Sequence, residues 1–130
     1  MIVVDTSVWI DFFTGRDTPG ASCLDAILGK RRVIVGDIIL LEVLQGFRED
    51  IHLRRAVEVL RRSPVVEMLD ENRALDAAAR YRRLRAKGVT IRKTADLVIG
   101  SWCIDERVPL LHADRDFDRL VEHEGLESLL

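Results

Sequence analysis

Four acidic residues lie at points of this sequence where a carboxylate is unusual. Asp5 follows the first apolar run, and Asp114 follows a late apolar run in the same way. Glu42 interrupts a leucine-rich segment, and Asp96 lies near the start of a nearly all-apolar segment. Burying an unpaired carboxylate is energetically costly. Each of these side chains therefore needs a cation, a proton or a place at a polar edge of the fold.

Each carboxylate also has a structural explanation when it is taken alone. Asp5 could be the N-cap of a following helix, since aspartate is favoured at that position. In a first helical turn, Asp96 would be stabilised by the helix dipole by about 0.3–1 kcal/mol. Glu42 could face solvent on an amphipathic helix. Taken singly, these positions leave a structural role and a functional role both open.

Together the carboxylates favour a site for a hard cation. If their strands are neighbours in a parallel sheet, Asp5 and Asp114 end at the same edge, and a helix that starts there delivers Asp96. Converging carboxylates repel one another unless a cation neutralises them, and an all-oxygen ligand set selects Mg²⁺ or Mn²⁺. Such a site suits hydrolysis of a phosphodiester, because the metal lowers the pKa of an attacking water and stabilises charge on the phosphoryl oxygens.

Hydrophobic periodicity predicts the elements that would position these residues. Short β-branched or apolar runs predict strands at 2–4, 33–35, 65–68 and 108–111, and an edge strand at 126–129. Helical spacing predicts helices at 8–14, 21–30, 38–47, 49–62, 71–87, 95–104 and 115–123. Strands and helices alternate, which predicts an α/β fold. We expect a three-layer α/β/α sandwich with a central, mostly parallel sheet and right-handed crossovers.

Apolar residues on two of the predicted helices lead to different expectations about burial. In the helix at 49–62, we expect Ile51 to face the core. In the first helix, Trp9, Phe12 and Phe13 are large apolar groups that either belong to the core or offer a surface to a partner helix.

Length and composition narrow the class of protein. The chain has 130 residues, and we expect a single domain over 1–130. The apolar runs are far shorter than the ~18 residues of a membrane span, and no signal-peptide pattern is present, so a cytoplasmic location is expected. Cys23 and Cys103 lack the spacing of metal ligands and are expected in the core. A net charge of −2 argues against indiscriminate nucleic-acid binding.

The order of the acidic motifs resembles the PIN-domain nuclease family over essentially the whole chain. The matching motifs are Asp5-Thr6-Ser7 after the first strand, Glu42 in a leucine-rich helix, Thr94-Ala95-Asp96 at the start of a buried helix, and Asp114-Arg115-Asp116-Phe117 after a late strand. The short chain and the stretches 36–46 and 113–117 resemble in particular the VapC-type toxins of bacterial toxin–antitoxin pairs.

The resemblance implies a metal-dependent endoribonuclease that uses Mg²⁺ or Mn²⁺. It implies an acidic quartet of Asp5, Glu42, Asp96 and Asp114, with Asp116 as a further direct or water-mediated ligand. The implied reaction is in-line attack of a metal-activated water on an RNA phosphodiester, which leaves a 5′-phosphate and a 3′-hydroxyl.

Other residues receive roles from the same resemblance. Thr6 is expected to orient Asp5, and Thr94 is expected to do the same for Asp96. The residues expected to contact RNA phosphates flank the proposed ligands: Arg92, Lys93 and Arg115. Alternatively, these three side chains are ordinary charged groups in contact with solvent.

The sequence departs from the family pattern at one position, and the resemblance implies two protein partners. His112 stands where the family often has a small hydroxyl or amide residue. It could bind the scissile phosphate, donate a hydrogen bond within the site, or simply end the strand. The implied partners are a second copy of the chain, in a homodimer, and a cognate antitoxin that blocks the acidic site.

Three alternative functions remain at this stage. A PIN-fold nuclease for RNA maturation would have the same site but no antitoxin. A haloacid-dehalogenase-like phosphatase needs a second aspartate two residues after the first, where Ser7 stands. A receiver-like phosphoacceptor module needs an acidic pair after the first strand and a late lysine, whereas Asp5 is single and the late strand leads to His112 and Asp114.

Overall fold

The computed structural model describes all residues from 1 to 130 and contains an alternation of strands and helices. The four strands are β1 (Ile2–Val4), β2 (Val33–Gly36), β3 (Val65–Val66) and β4 (Leu110–Leu111). The seven helices are α1 (Thr6–Thr14), α2 (Pro19–Ile27), α3 (Asp37–Gln45), α4 (Asp50–Leu60), α5 (Glu71–Ala86), α6 (Thr94–Glu106) and α7 (Arg115–Glu124). No helix is long and apolar enough to cross a membrane.

The four strands form one parallel sheet in the order β3-β2-β1-β4. Ile2, Val3 and Val4 of β1 are all fully buried. Successive side chains of a strand point to opposite faces of the sheet, so helices must cover both faces here. This confirms the predicted three-layer α/β architecture, and it places the carboxyl ends of all four strands at one edge.

The last residues of the chain continue along the outer side of β4. Leu110 donates its backbone N–H to the Glu127 carbonyl at 2.9 Å and accepts from the Leu129 N–H at 3.0 Å. A single parallel bridge joins Leu110 to Ser128. The edge strand predicted at 126–129 is therefore present only as this bridge, because β4 itself offers only two residues for pairing.

Helix α6 occupies the centre of the helical packing. Its residues from Asp96 to Cys103 are all buried, and it contacts both α5 and α7. Gly100 permits the approach of α7, since a Cβ at this position would overlap the side chain of Leu120. The close contact of these two helices is relevant to function because both begin at the carboxyl edge of the sheet.

Arg80, a buried arginine of α5, forms ion pairs with residues near the C-terminal ends of α6 and α7. Arg80 of α5 donates from Nε to Glu124 of α7 at 3.0 Å and from Nη2 to Asp105 of α6 at 3.1 Å. Arg83 donates to the same Glu124 oxygen at 2.6 Å. The pKa of Glu124 is lowered, because the hydrogen bonds and charges of the two arginines outweigh the opposing effect of burial. These ion pairs fix the ends of α6 and α7 that lie away from the acidic residues.

One packing expectation is wrong. Ile51 is 72% exposed, whereas Ala56 and Leu60 form the buried face of α4. Ile51 precedes Ala56 by five residues, which places it about 140° around the helix from that face. Its position in the first turn of α4 therefore directs it to solvent.

Candidate active site

Two neighbouring strands deliver aspartates to the same edge of the sheet. Asp5 follows β1 and donates its backbone N–H to the Leu111 carbonyl of β4 at 2.9 Å. Asp114 follows β4 and is the N-cap of α7, where its Oδ1 accepts the backbone N–H of Asp116 at 2.9 Å. Asp5 occupies the N-cap position of α1, but its side chain makes no capping hydrogen bond. The carboxylate of Asp5 therefore does not serve as the N-cap of α1.

Three of the predicted acidic residues form a tight group. Asp96 lies in the first turn of α6, and its carboxylate meets those of Asp114 and Asp116 from α7 and its N-cap. One oxygen from each side chain lies within 4.8 Å of the others. Asp96 and Asp116 are buried and Asp114 is partly exposed. An arrangement of this kind could hold a metal ion.

Asp5 and Glu42 lie beside this group and interact with it electrostatically. The charge of Asp5 raises the pKa of Asp96, and the charge of Glu42 raises the pKa of Asp5. The five acidic residues therefore form a continuous network, with Asp96 at the junction between Asp5 and the group on α7.

Hydroxyl groups hold the two acidic residues nearest to α1. The Thr6 hydroxyl donates to Glu42 Oε1 at 2.7 Å, and the Ser7 hydroxyl donates to Asp5 Oδ2 at 2.9 Å. The hydroxyl that contacts Asp5 is thus that of Ser7 and not, as expected, that of Thr6, because the turn of α1 directs the Thr6 side chain to α3; Thr6 interacts with Asp5 only through its backbone. Sequence reasoning missed the role of Ser7.

Thr94 does not hold Asp96 either. It is exposed at the first residue of α6, with Lys93 in the N-cap position, and its hydroxyl makes no hydrogen bond within the protein. The expected contact with Asp96 is therefore absent.

Burial opposes ionisation of two of these carboxylates. The pKa of Asp96 is raised to about 7, chiefly by burial and then by the charges of Asp5 and Asp114, while Lys93 acts in the opposite direction. Burial also raises the pKa of Asp5, against a lowering effect of the hydrogen bond from Ser7. Both pKa values refer to the protein without a bound cation.

Two carboxylate oxygens in this region lack any donor. Asp5 Oδ1 and Asp96 Oδ2 are fully buried and accept no hydrogen bond from the protein. A buried acceptor without a partner is costly, and a cation placed between carboxylates would satisfy it. Oxygen ligands alone are the donor set that Mg²⁺ and Mn²⁺ prefer. The residues present therefore fit a hard divalent cation.

Basic side chains flank the acidic group. The Arg92 backbone N–H donates to Asp116 Oδ2 at 2.9 Å, and its Nε lies 3.5 Å from Oδ1 of the same carboxylate. Lys93 Nζ lies 3.7 Å from Asp114 Oδ2. Arg115 is exposed and forms no ion pair. All three residues expected near RNA phosphates thus lie at the site, and two of them already contact its carboxylates.

His112 is buried and does not line the site as a phosphate contact. It is 5% exposed, its Nε2 lies 2.9 Å from the Ser128 hydroxyl, and its ring centroid lies 5.1 Å from that of Phe117. Burial lowers the pKa of the imidazole, which favours the neutral form. Of the three roles considered for His112, this geometry favours the one in which the residue ends the strand, and the side chain joins the end of β4 to the last residues of the chain.

The aromatic residues of α1 divide between core and surface. Trp9 is completely buried, whereas Phe12 and Phe13 are partly buried and pack on it. Phe47 lies against Phe13, with ring centroids 6.0 Å apart. The large apolar groups on α1 therefore belong mainly to the core, and only part of the Phe12 and Phe13 surface is open to a partner.

The chain is similar to known proteins over its whole length. Residues 2–122 match the PIN domain family. The chain is 26% identical to "Ribonuclease VapC11" of Mycobacterium tuberculosis over 130 residues, which cover 98% of this chain and 97% of the relative.

Solved structures have the same fold. A crystal structure of VapBC2 from Rickettsia felis, bound to a DNA fragment from their promoter, superposes with a TM-score of 0.76 at 19% identity and covers 98% of this chain and 97% of the other. A toxin–antitoxin complex from Klebsiella pneumoniae superposes with a TM-score of 0.65 at 18% identity and covers 97% and 95%.

The family match is inconsistent with the phosphatase and receiver alternatives, and it agrees with the positions of the acidic residues at the carboxyl edge of the sheet. The parallel sheet order, the acidic network around Asp96 and the match over residues 2–122 lead to one conclusion: the chain belongs to the PIN domain family.

Proposed function

We propose that this protein is a divalent-metal-dependent endoribonuclease of the VapC type that hydrolyses RNA phosphodiesters. The observation that carries the proposal is the group of Asp96, Asp114 and Asp116 beside Asp5, where two buried carboxylate oxygens have no donor. The relative from Mycobacterium tuberculosis is named a ribonuclease, which supports the same activity. The proposed catalytic unit is a single PIN-like domain that spans 1–130.

Within this proposal, each acidic residue has a defined task. Asp5, Glu42, Asp96, Asp114 and Asp116 supply the carboxylates that would hold Mg²⁺ or Mn²⁺. The cation, when bound, activates a water for in-line attack and neutralises charge on the phosphoryl oxygens. Since the pKa of Asp96 is raised to about 7 without a cation, a cation bound there below neutral pH would displace a proton from this side chain.

The surrounding side chains orient the site and attract the substrate. Thr6 fixes one oxygen of Glu42 by its hydrogen bond of 2.7 Å. Arg92, Lys93 and Arg115 lie beside the carboxylates and contact the RNA backbone in this proposal, since guanidinium and ammonium groups bind phosphate oxygens. Their exposure leaves them accessible to a polynucleotide.

The proposal includes two protein partners, an antitoxin and a second copy of this chain. Two kinds of observation support them. The solved structures of VapBC2 and of a toxin–antitoxin complex share this fold at TM-scores of 0.76 and 0.65. Large apolar side chains also remain exposed on α3 and α4, with Leu41 at 61% and Ile51 at 72%. Light scattering of the purified chain, alone and with the protein expressed from the same operon, tests both partners.

Cleavage of total cellular RNA by the purified protein tests the enzymatic proposal. With Mn²⁺ or Mg²⁺ we expect discrete fragments that carry 5′-phosphate and 3′-hydroxyl ends, and no fragments with EDTA. Asp5→Asn and Asp96→Asn should each reduce the rate by roughly 100-fold or more, because each substitution removes a charge that holds the metal.

Asp76→Asn is the matched control for these variants. Asp76 is exposed on α5 and makes no ion pair, so its substitution changes the net charge equally and leaves the site intact. We expect wild-type activity from it. Cleavage that persists in EDTA or in both site variants would exclude the proposed mechanism.

A further inference from the structure

A polar cavity of about 400 Å³ lies directly beside the acidic group. Six residues line it: Gly88, Thr90, Arg92, Arg115, Asp116 and Arg119. None of them is hydrophobic. Asp116 is common to the cavity and to the acidic group, so the two sites share a wall.

The cavity carries an excess of positive charge in a protein whose net charge is −2. Three guanidinium groups face one carboxylate, and only Arg92 is paired with that carboxylate. Arg115 and Arg119 make no ion pair and stand one turn apart on α7, where residues separated by four positions share a face. Two unpaired guanidinium groups on one wall make this cavity suited to an anion.

The chemistry of the lining selects a phosphate. Guanidinium groups bind phosphate oxygens with paired N–H donors, and the Thr90 hydroxyl can add a further donor. No hydrophobic side chain lines the cavity to bind a base or another apolar ligand. Because Asp116 belongs to both the acidic group and the cavity, the backbone group nearest to the cavity would be a phosphate next to the scissile one.

We propose that this cavity binds one backbone phosphate of the RNA strand, next to the phosphate that is cleaved, and that Arg119 is its principal contact. This inference rests on the proposed ribonuclease function. It adds Arg119, a binding residue that lies outside the acidic motifs, to the contacts already proposed for Arg115.

Another arginine-rich cavity provides the matched control. Arg82, Arg83 and Arg85 line a cavity of about 520 Å³ on α5. It shares no residue with the acidic group, and Arg83 is already bonded to Glu124. Arg82 is exposed and unpaired, as Arg119 is. Arg82→Gln therefore removes the same charge from a helix surface without reaching the proposed phosphate.

RNA binding by a cleavage-inactive protein separates this inference from the ribonuclease proposal. In an Asp96→Asn background with EDTA, binding of a 20-nucleotide uridine RNA is measured at several salt concentrations. Arg119→Gln should weaken binding by roughly tenfold, as expected for loss of one charge-assisted contact. It should also reduce the slope of log K against log salt by about 0.7. Arg82→Gln should change neither quantity.

A neutral phosphate analogue then locates the contact. RNAs that span a mapped cleavage site carry a single methylphosphonate at successive positions. The parent protein should lose affinity when the neutral group lies next to the scissile position, and Arg119→Gln should be insensitive to that same substitution. Equal effects of Arg119→Gln and Arg82→Gln, or retained sensitivity in Arg119→Gln, would overturn the assignment. Normal RNA binding without cleavage by the wild type would overturn the ribonuclease proposal instead.

Discussion

At the scale of single residues, the ionisation of Asp96 links the acidic site to the stability of the fold. Its pKa in the metal-free protein is about 7, against an ordinary value of 3.8, because burial and neighbouring carboxylates disfavour the charged form. The folded state therefore keeps a proton that the unfolded chain has already lost. The contribution of this group to the free energy of unfolding is therefore highest below about pH 4. It is lost as the pH rises through about 7.

Asp96→Asn should reduce this dependence on pH. Asparagine keeps the size of the side chain and carries no charge, so the metal-free variant should be more stable than the wild type at pH 8. We expect a difference of roughly 1–4 kcal/mol, since one pKa unit corresponds to about 1.4 kcal/mol. Urea unfolding in EDTA at pH 5 and pH 8 measures it. If Asp96→Asn retains the pH dependence of Asp76→Asn, other groups are responsible.

Residue types were sufficient to select the candidate acidic residues, three of which lie together in the structure, but not to predict the contacts around them. A carboxylate within an apolar segment is conspicuous in any sequence, which is why Asp5 and Asp96 could be selected. Thr6 and Ser7 are adjacent and chemically alike, and only the orientation of α1 decides which hydroxyl reaches Asp5. His112 depends on Ser128, sixteen residues later, and no local pattern predicts that contact.

At the scale of elements, the ion pairs of Arg80 hold α5, α6 and α7 together. Arg80→Met keeps most of the apolar stem but leaves Asp105 without its partner and weakens the support of Glu124. Removing one partner from a largely buried ion pair is destabilising, so we expect a loss of roughly 2–4 kcal/mol in the free energy of unfolding.

Arg83→Met provides the comparison for this measurement. Arg83 bonds the same Glu124, but its side chain is 53% exposed. Exposed ion pairs contribute little, so we expect a change of no more than about 1 kcal/mol. Chemical denaturation of both variants at neutral pH gives the two values. Equal losses would mean that burial does not determine the contribution of Arg80.

The elements themselves were largely predictable from periodicity, whereas their ends and orientations were not. Each predicted helix and each of the four predicted main strands is present. However, β3 and β4 contain only two residues each, which is shorter than the predicted strands at 65–68 and 108–111. Ile51 fits a helical apolar pattern in sequence, but the direction in which α4 docks places it in solvent.

At the scale of the whole molecule, the alternation of strands and helices predicted a parallel sheet but not its order. The order β3-β2-β1-β4 depends on which side of β1 each crossover returns to, and that choice follows from the packing of entire helices. Neither periodicity nor the resemblance to the PIN-domain family specified this order in the sequence analysis.

The net charge also does not indicate how charged residues are distributed over the protein. A value of −2 averages an acidic group against an adjoining arginine-lined cavity, and neither is evident from composition. Arg119 could have been recognised from its spacing of four residues after Arg115 on a predicted helix. What the sequence could not indicate was that α7 places this face next to Asp116.

The bridge between β4 and the last residues also affects how the molecule resists self-association. An uncovered strand edge offers free backbone groups to another chain, and such edges promote aggregation. Residues 127–129 occupy the outer edge of β4 by pairing with Leu110. Deletion of residues 127–130 keeps the buried Leu126 and should yield folded protein that aggregates with time, as measured by light scattering and thioflavin fluorescence. Ser128→Ala, which retains the backbone pairing, should remain dispersed.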